Sequence, residues 1–265
     1  MRQGKPSLTA RWIAAHRADL AGTRPSTPTG DTEAERRLYQ GMNRFFVLPG
    51  LNPTGMAERT RFIDAEVARA IGRGIAQVVI VGAGYDGRAL RFGGGAVRWI
   101  EVDFPATQAD KQARLAALGV TPGRVTYVGL DLMTDDLGAA LGAVGHSVWE
   151  PSLFICEGLL AYLPLEVCAT LCDSLRDRAA PGSVLTLNVR VVPPAGTRKL
   201  GVGGLAEVIL RVMGEERQVV FHPGDIEKLL VVTGWSVVRR DASARNRMDG
   251  SSHLLVLAAE PVKSP

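Results

Sequence analysis

Gly82-Ala83-Gly84-Tyr85-Asp86-Gly87 follows directly on the apolar run Gln77-Val78-Val79-Ile80-Val81. A strand that runs into G-x-G-x-x-G can turn its backbone sharply and let a ligand approach with no Cβ in the way. The next apolar run closes on Trp99-Ile100-Glu101-Val102-Asp103. Glu101 and Asp103 are two residues apart and point to one face of a strand, where a carboxylate can accept both hydroxyls of a ribose. A third run ends Tyr127-Val128-Gly129-Leu130-Asp131-Leu132, which sets Asp131 where the amine of an adenine lying across a sheet would come. Two cofactors suit this pattern, a nicotinamide dinucleotide and S-adenosylmethionine. A dinucleotide needs its pyrophosphate over a helix N-terminus. Here Arg88 to Gly95 offers two helical turns at most, and no Tyr-x-x-x-Lys pair is present. The acid at Asp131 has no general use to a dinucleotide, so the pattern favours S-adenosylmethionine, with a nicotinamide-dependent oxidoreductase as the alternative.

The elements that must position these groups alternate. Short apolar runs at 77–81, 97–102, 125–130, 152–156 and 184–192 read as strands buried on both faces, with helices over 106–118 and 165–179 between them. Such alternation predicts an α/β fold with a doubly wound, mostly parallel sheet. Helices are expected at 7–20, 32–46 and 58–73, separated by a mobile loop at 21–30 that is rich in Gly, Pro, Ser and Thr and by a turn through Pro49-Gly50. After the fifth strand come a helix-like stretch at 201–213, a helix at 224–233 and two closing strands at 235–239 and 254–259, expected as an antiparallel edge pair. This divides the chain into an N-terminal helical cap, 1–74, and a cofactor domain, 75–265, with a substrate lid at about 193–223.

The bulk properties exclude several classes. The chain has 265 residues, 46% hydrophobic and 22% charged, with a net charge of +4, and its Lys and Arg are spread out. Such a mild, dispersed excess is far from a nucleic-acid stripe. No stretch approaches the ~18 apolar residues of a membrane span, and the basic start Met1-Arg2-Gln3-Gly4-Lys5 has no apolar core behind it. Cys156, Cys168 and Cys172 are few and odd in number, which fits a reducing cytoplasm. His16, His146, His222 and His253 are scattered, and no metal cluster is expected.

Read together, these segments resemble the leucine carboxyl methyltransferase family, including its bacterial branch linked to polyketide biosynthesis. The likeness is carried by 77–88, by Ile100-Glu101-Val102-Asp103-Phe104-Pro105-Ala106-Thr107-Gln108 with Lys111, by Asp131-Leu132 and by Phe154-Ile155-Cys156-Glu157-Gly158-Leu159-Leu160-Ala161-Tyr162-Leu163. Ser7-Leu8-Thr9-Ala10 with Arg17-Ala18, Arg61 with Asp64, Gly214-Glu215-Glu216 and the stretch 223–235 extend it over nearly the whole chain. The resemblance implies a Rossmann-like class I methyltransferase with a seven-stranded, mostly parallel sheet and a helical cap. It further implies that Gly82 and Gly84 approach the methionine part of S-adenosylmethionine and that Asp103 holds the ribose. Asp131 and the Leu132 amide would take the adenine, Glu157 would stand at the amino-acid end, and Arg61 would pair with the carboxylate, with Arg17 assisting from the cap. Gly87 stands where the family usually has Thr, which is expected to loosen that turn, and 193–221 has no clear motif from which a substrate could be carried over.

Methyl transfer is an in-line displacement in which positioning does much of the work. A carboxylate acceptor is already ionised at neutral pH and needs no base, which agrees with the lack of a catalytic dyad in the sequence. The expected activity is therefore O-methylation of a carboxylate on a small molecule. A hydroxyl acceptor is the alternative and would need a base, for which His222 is the candidate.

Overall fold

The computed structural model describes residues 6–40, 42, 53–121, 123–192, 218–219, 221–241 and 253–262. Its centre is a seven-stranded sheet: β1 Gln77–Val81, β2 Arg98–Asp103, β3 Val125–Gly129, β4 Ser152–Cys156, β5 Val184–Val191, β6 Trp235–Arg240 and β7 His253–Pro261. The strands lie in the order β3-β2-β1-β4-β5-β7-β6. β1 pairs in parallel with both β2 and β4, and only β7 is reversed, antiparallel to β5 on one side and to β6 on the other. The closing pair of strands is thus antiparallel, as expected, but β7 inserts between β5 and β6 and leaves β6 at the edge.

Alternation in β1 builds two cores. Val79 and Val81 face one side with Ile100, Val102, Phe154 and Trp235. Val78 and Ile80 face the other with Trp99, Leu153 and Ile155. The first side is covered by α6 Leu137–Ala143, α7 Leu165–Asp177 and α8 Asp225–Val232, through Leu141, Leu171, Leu175 and Leu230. The second is covered by α3 Pro53–Gly72, through Ile63, Val67 and Ala70. Although it precedes the first strand, α3 is therefore packed as a sheet helix. α6 is absent from the sequence reading. Its Leu-Gly-Ala-Ala-Leu-Gly-Ala is a weak helix former, and its start is marked by Asp136, whose side chain accepts from the Ala139 amide.

α1 Leu8–Arg17 starts at Ser7, whose hydroxyl accepts from the Ala10 amide, and α2 Thr32–Tyr39 starts at Asp31, which accepts from Ala34. Both pack with Tyr85, Leu90 and Leu115 in a third cluster beyond the sheet's upper edge. The connection between them, expected to be mobile, is tied down: 18–23 is a 3-10 helix, Arg24 is buried, and Thr27 and Thr29 both donate to the Gly93 carbonyl. α5 Pro105–Ala117 and α4 Arg88–Arg91 complete the described α-helices. The expected helix at 201–213, the turn at Pro49-Gly50 and residues 193–217 of the expected lid lie outside the described residues. No helix among the described residues is long and apolar enough to cross a membrane.

Candidate functional site

The strand order reverses direction between β1 and β4, and in open α/β sheets the crevice for a ligand opens at the carboxyl ends of the strands at such a point. A cavity of about 490 Å³ lies there, within the size range of small-molecule sites. Gly82, Gly84, Asp103, Asp131, Leu132 and Glu157 all line it. α1 supplies part of its wall through Ala10, Ile13 and Arg17.

The glycine loop meets the demands read from its sequence. Gly82 and Gly84 have φ of +69° and +51°, a region that suits glycine. A Cβ at Gly82 would come 3.0 Å from Leu159 Cδ1, and one at Gly84 would come 3.0 Å from Ala10 Cβ. Asp103 clasps the loop: its Oδ2 accepts from the Gly84 amide at 2.6 Å and its Oδ1 from the Phe104 amide at 2.6 Å. Asp131 is held by its own turn, with Oδ1 accepting from the Met133 amide at 3.0 Å. Glu101, although on the same strand face as Asp103, does not line the cavity. It is buried with Lys111, which also donates to the Asp86 carbonyl. Burial pushes the Glu101 carboxyl up to about 6, with Lys111 opposing.

At the end of β4 the arrangement is ionic. Glu157 receives Arg17 Nη2 at 2.8 Å, Arg59 Nε at 2.8 Å and Arg88 Nη1 at 2.6 Å. Arg88 also binds Asp86 at 2.5 Å and Asp64 at 2.7 Å, and Arg17 reaches Asp86 at 3.4 Å. Asp64 continues to Arg24 at 2.5 Å, Arg24 to Glu35 at 2.9 Å, and Glu35 to Arg91 at 2.5 Å. Five guanidiniums thus face four carboxylates in a nearly dry network. Burial works against the charges of Arg17, Arg24, Arg59, Asp86, Arg88 and Glu157. The three arginines nevertheless hold Glu157 well below the usual carboxylate range, and the acids push Arg17 and Arg88 up. Arg59 goes the other way: burial pulls its guanidinium below the ordinary value, and Glu157 only partly compensates. Its Nη2 is buried without a partner, on a residue that lines the cavity. A buried donor left unpaired is costly, so this corner calls for an anion.

Arg61, the arginine expected at this place, is exposed and does not line the cavity. The helix phase explains the correction. Ile63 and Val67 mark the buried face of α3; Arg59 lies one turn before Ile63 on that face, and Arg61 points away. That phase was readable from the sequence. Asp86, Arg88, Arg24 and Glu35 were not, because, apart from the pairs Asp86–Arg88 and Arg24–Glu35, their charged partners lie 24 or more residues away along the chain. His222 is exposed, off the cavity, with its Nδ1 at 2.9 Å from the Val192 carbonyl. The expected loosening at Gly87 is also not seen, since its amide donates to Tyr39 Oη at 2.9 Å. α4 is a single turn whose first amides are taken, Gly87 by Tyr39 and Arg88 by Asp86 Oδ1 at 2.8 Å, which leaves no helix N-terminus for a pyrophosphate. Among the described residues no group of three His, Cys, Asp or Glu could hold a metal ion.

Comparison with known proteins agrees with this picture. The family model for leucine carboxyl methyltransferase matches residues 13–176. A protein of Mycolicibacterium smegmatis named as an S-adenosyl-L-methionine-dependent methyltransferase is 37% identical over 195 residues, covering 67% of this chain and 63% of that protein. One of the same name from Mycobacterium avium is 40% identical over 143 residues, covering 53% of this chain and 45% of that protein. The chain therefore spans less than two thirds of the length of the curated relatives it matches. Its fold is shared with a methyltransferase crystal structure from Thermobifida fusca, at a TM-score of 0.62 and 19% identity over 99% of this chain and 97% of that one. It is also shared with magnesium protoporphyrin IX methyltransferase from Synechocystis with bound S-adenosylhomocysteine, at a TM-score of 0.53 and 18% identity over 86% and 93%.

Proposed function

The chain belongs to the leucine carboxyl methyltransferase family, and from that premise we propose that it is an S-adenosyl-L-methionine-dependent O-methyltransferase acting on a carboxylate of a small, polyketide-like or other natural-product acid. The observation that carries the cofactor assignment is the unpartnered Arg59 Nη2 beside Glu157 at one end of a cavity whose other end carries Asp103 and Asp131. That spacing of charges suits a zwitterionic amino acid joined to an adenosine. In this reading Glu157 takes the α-amino group and Arg59 the carboxylate, with Arg17 behind them. Gly82 and Gly84 let the methionine chain pass close to the backbone. Asp103 takes the ribose hydroxyls, and Asp131 with the Leu132 amide takes the adenine. Within residues 1–74, α1 and α2 act as the cap, with α1 as the part that walls the cavity, while α3 packs on the sheet.

The cofactor, when bound, supplies a methyl group on a cationic sulfur. The chain's own residues have to hold that methyl in line with the acceptor oxygen and keep water out. Among the described residues that line the cavity there is no His, Lys or Cys, and its three carboxylates are those assigned above to the cofactor. Glu157 is held in its ionised form by three arginines, and His222 stands outside. An acceptor that arrives already ionised needs no such group, which supports a carboxylate over a hydroxyl. The test is to incubate the protein with methyl-labelled cofactor and a panel of aromatic and aliphatic acids and phenols. A carboxylate acceptor yields a methyl ester whose label is released as methanol in mild alkali. A label stable to alkali marks a hydroxyl acceptor and overturns the carboxylate assignment. Tight binding of NAD with no binding of S-adenosylhomocysteine would overturn the methyltransferase reading itself.

A further inference from the structure

Gly87 closes the cofactor loop, and its amide is held from outside the cavity. The N–H donates to Tyr39 Oη at 2.9 Å, and Tyr39 Oη in turn donates to Glu35 Oε1 at 3.1 Å. Both residues of α2 are buried, at 2% and 1% exposure. A Cβ at Gly87 would lie 2.4 Å from Glu35 Cγ and 2.7 Å from Tyr39 Oη. The absence of a side chain at Gly87 is therefore the space into which α2 docks, and it accounts for glycine at a position where threonine would not fit.

The bond does not end at Glu35. Glu35 Oε1 accepts from Arg24 Nη1 at 2.9 Å, Arg24 Nε donates to Asp64 Oδ2 at 2.5 Å, and Asp64 Oδ1 accepts from Arg88 Nε at 2.7 Å. Arg88 is the residue after Gly87, so the circuit closes on the turn where it began. From the same Arg88, Nη1 reaches Asp86 and, at 2.6 Å, Glu157. Tyr39, Glu35, Arg24 and Asp64 do not line the cavity, yet the ring they form fixes two things that do: the glycine turn and the carboxylate of Glu157. Inside a dry, low-dielectric cluster each such bond is stronger than in water and polarises the next. Burial, followed by Glu35, raises the Tyr39 phenol above its usual range, so it stays a donor throughout the working pH range.

We infer that Tyr39 is a positioning residue for the cofactor loop, holding the Gly87 amide through a ring of buried hydrogen bonds so that Gly82, Gly84 and Glu157 keep the spacing the cofactor needs. This rests on the cofactor reading above. The test is Tyr39→Phe, which removes only the hydroxyl and keeps the ring among Leu38, Tyr85 and Leu90. Calorimetric titration with S-adenosylhomocysteine is expected to show a dissociation constant raised about tenfold, or about 1.4 kcal/mol, in a protein that remains folded by circular dichroism. The Gly87 amide should exchange slowly in the unliganded wild type and faster in the variant. A role confined to stability would lower the melting midpoint and leave the dissociation constant within twofold, and that result overturns the inference. So does an equal Gly87 exchange rate in the two proteins, which can be read on the wild type and variant whether or not the ligand binds. Failure of the wild type itself to bind S-adenosylhomocysteine would instead strike the cofactor reading.

Discussion

At one end of the cavity Asp103 ends β2 and Asp131 lies two residues beyond β3, and both accept from backbone amides of nearby loops, Gly84 and Phe104 for one and Met133 for the other. At the other end Glu157 also closes a strand, but it takes guanidiniums from α1, α3 and α4, the farthest of which is Arg17. Three carboxylates at three strand ends are thus held by two kinds of environment. Amides are neutral and supplied by the turn itself, so Asp131 can change without leaving a charge stranded. The Glu157 end is a balance of buried ions, where removing one member uncovers several others. Ligand affinity and fold stability should therefore separate at the first end and travel together at the second.

The most severe test of that contrast is Glu157→Gln, which leaves Arg17, Arg59 and Arg88 facing a neutral amide. Breaking a buried ion cluster costs about 3–5 kcal/mol, so urea denaturation should show a loss of that order along with loss of S-adenosylhomocysteine binding. A protein with unaltered stability would end the distinction between the two regions. Arg59→Met sharpens it from the opposite side. Five guanidiniums face four carboxylates, so losing the surplus one should weaken S-adenosylhomocysteine binding by about 1.5–3 kcal/mol, the range of a charged hydrogen bond, with a smaller effect on stability. Equal losses in both would show that the network has no surplus charge.

His146 supplies a reference at the opposite end of the strands, beside the start of β4. Its Nε2 lies 2.9 Å from Ser152 Oγ, while Arg178 faces Nδ1 at 3.3 Å. Burial, with Arg178 and Arg98 adding to it, pulls the imidazole from 6.5 down to about 4. A depressed folded value means that stability is present above pH 6.5 and is lost as pH falls through about 4. A decline on the order of 2 kcal/mol across that window, absent in His146→Gln, would assign the acid sensitivity to this site and away from the cavity. At the other end of the scale, Asp131→Asn should raise the dissociation constant for S-adenosylhomocysteine about tenfold, about 1.4 kcal/mol, and leave the melting midpoint in place. A drop in midpoint comparable to that of Glu157→Gln would erase the difference in environment. Arg61→Ala is expected to change neither quantity, since exposed positions away from special features stay within about 0.5 kcal/mol; any large loss of binding there would return the carboxylate role to Arg61.

The amino-acid sequence by itself determined the sheet, the glycine turn and the three strand-end acids, because each of these is encoded in a few consecutive residues. A continuous apolar run marks a strand covered on both faces, and Gly82, Asp103, Asp131 and Glu157 stand at or within two residues of the ends of such strands. The same local signal, carried over α3 with its helical phase, would have chosen Arg59 in place of Arg61. Only the tertiary structure decided what surrounds Glu157, why Gly87 carries no side chain and where β7 enters the sheet. Arg17 and Glu157 are 140 residues apart in the chain, and Tyr39 and Gly87 are 48 apart. Nothing in their local sequence names the partner that each will meet. A long cationic side chain enters the interior only where folding brings enough opposite charge to meet it, and that sum is taken over segments that become neighbours once the chain has folded.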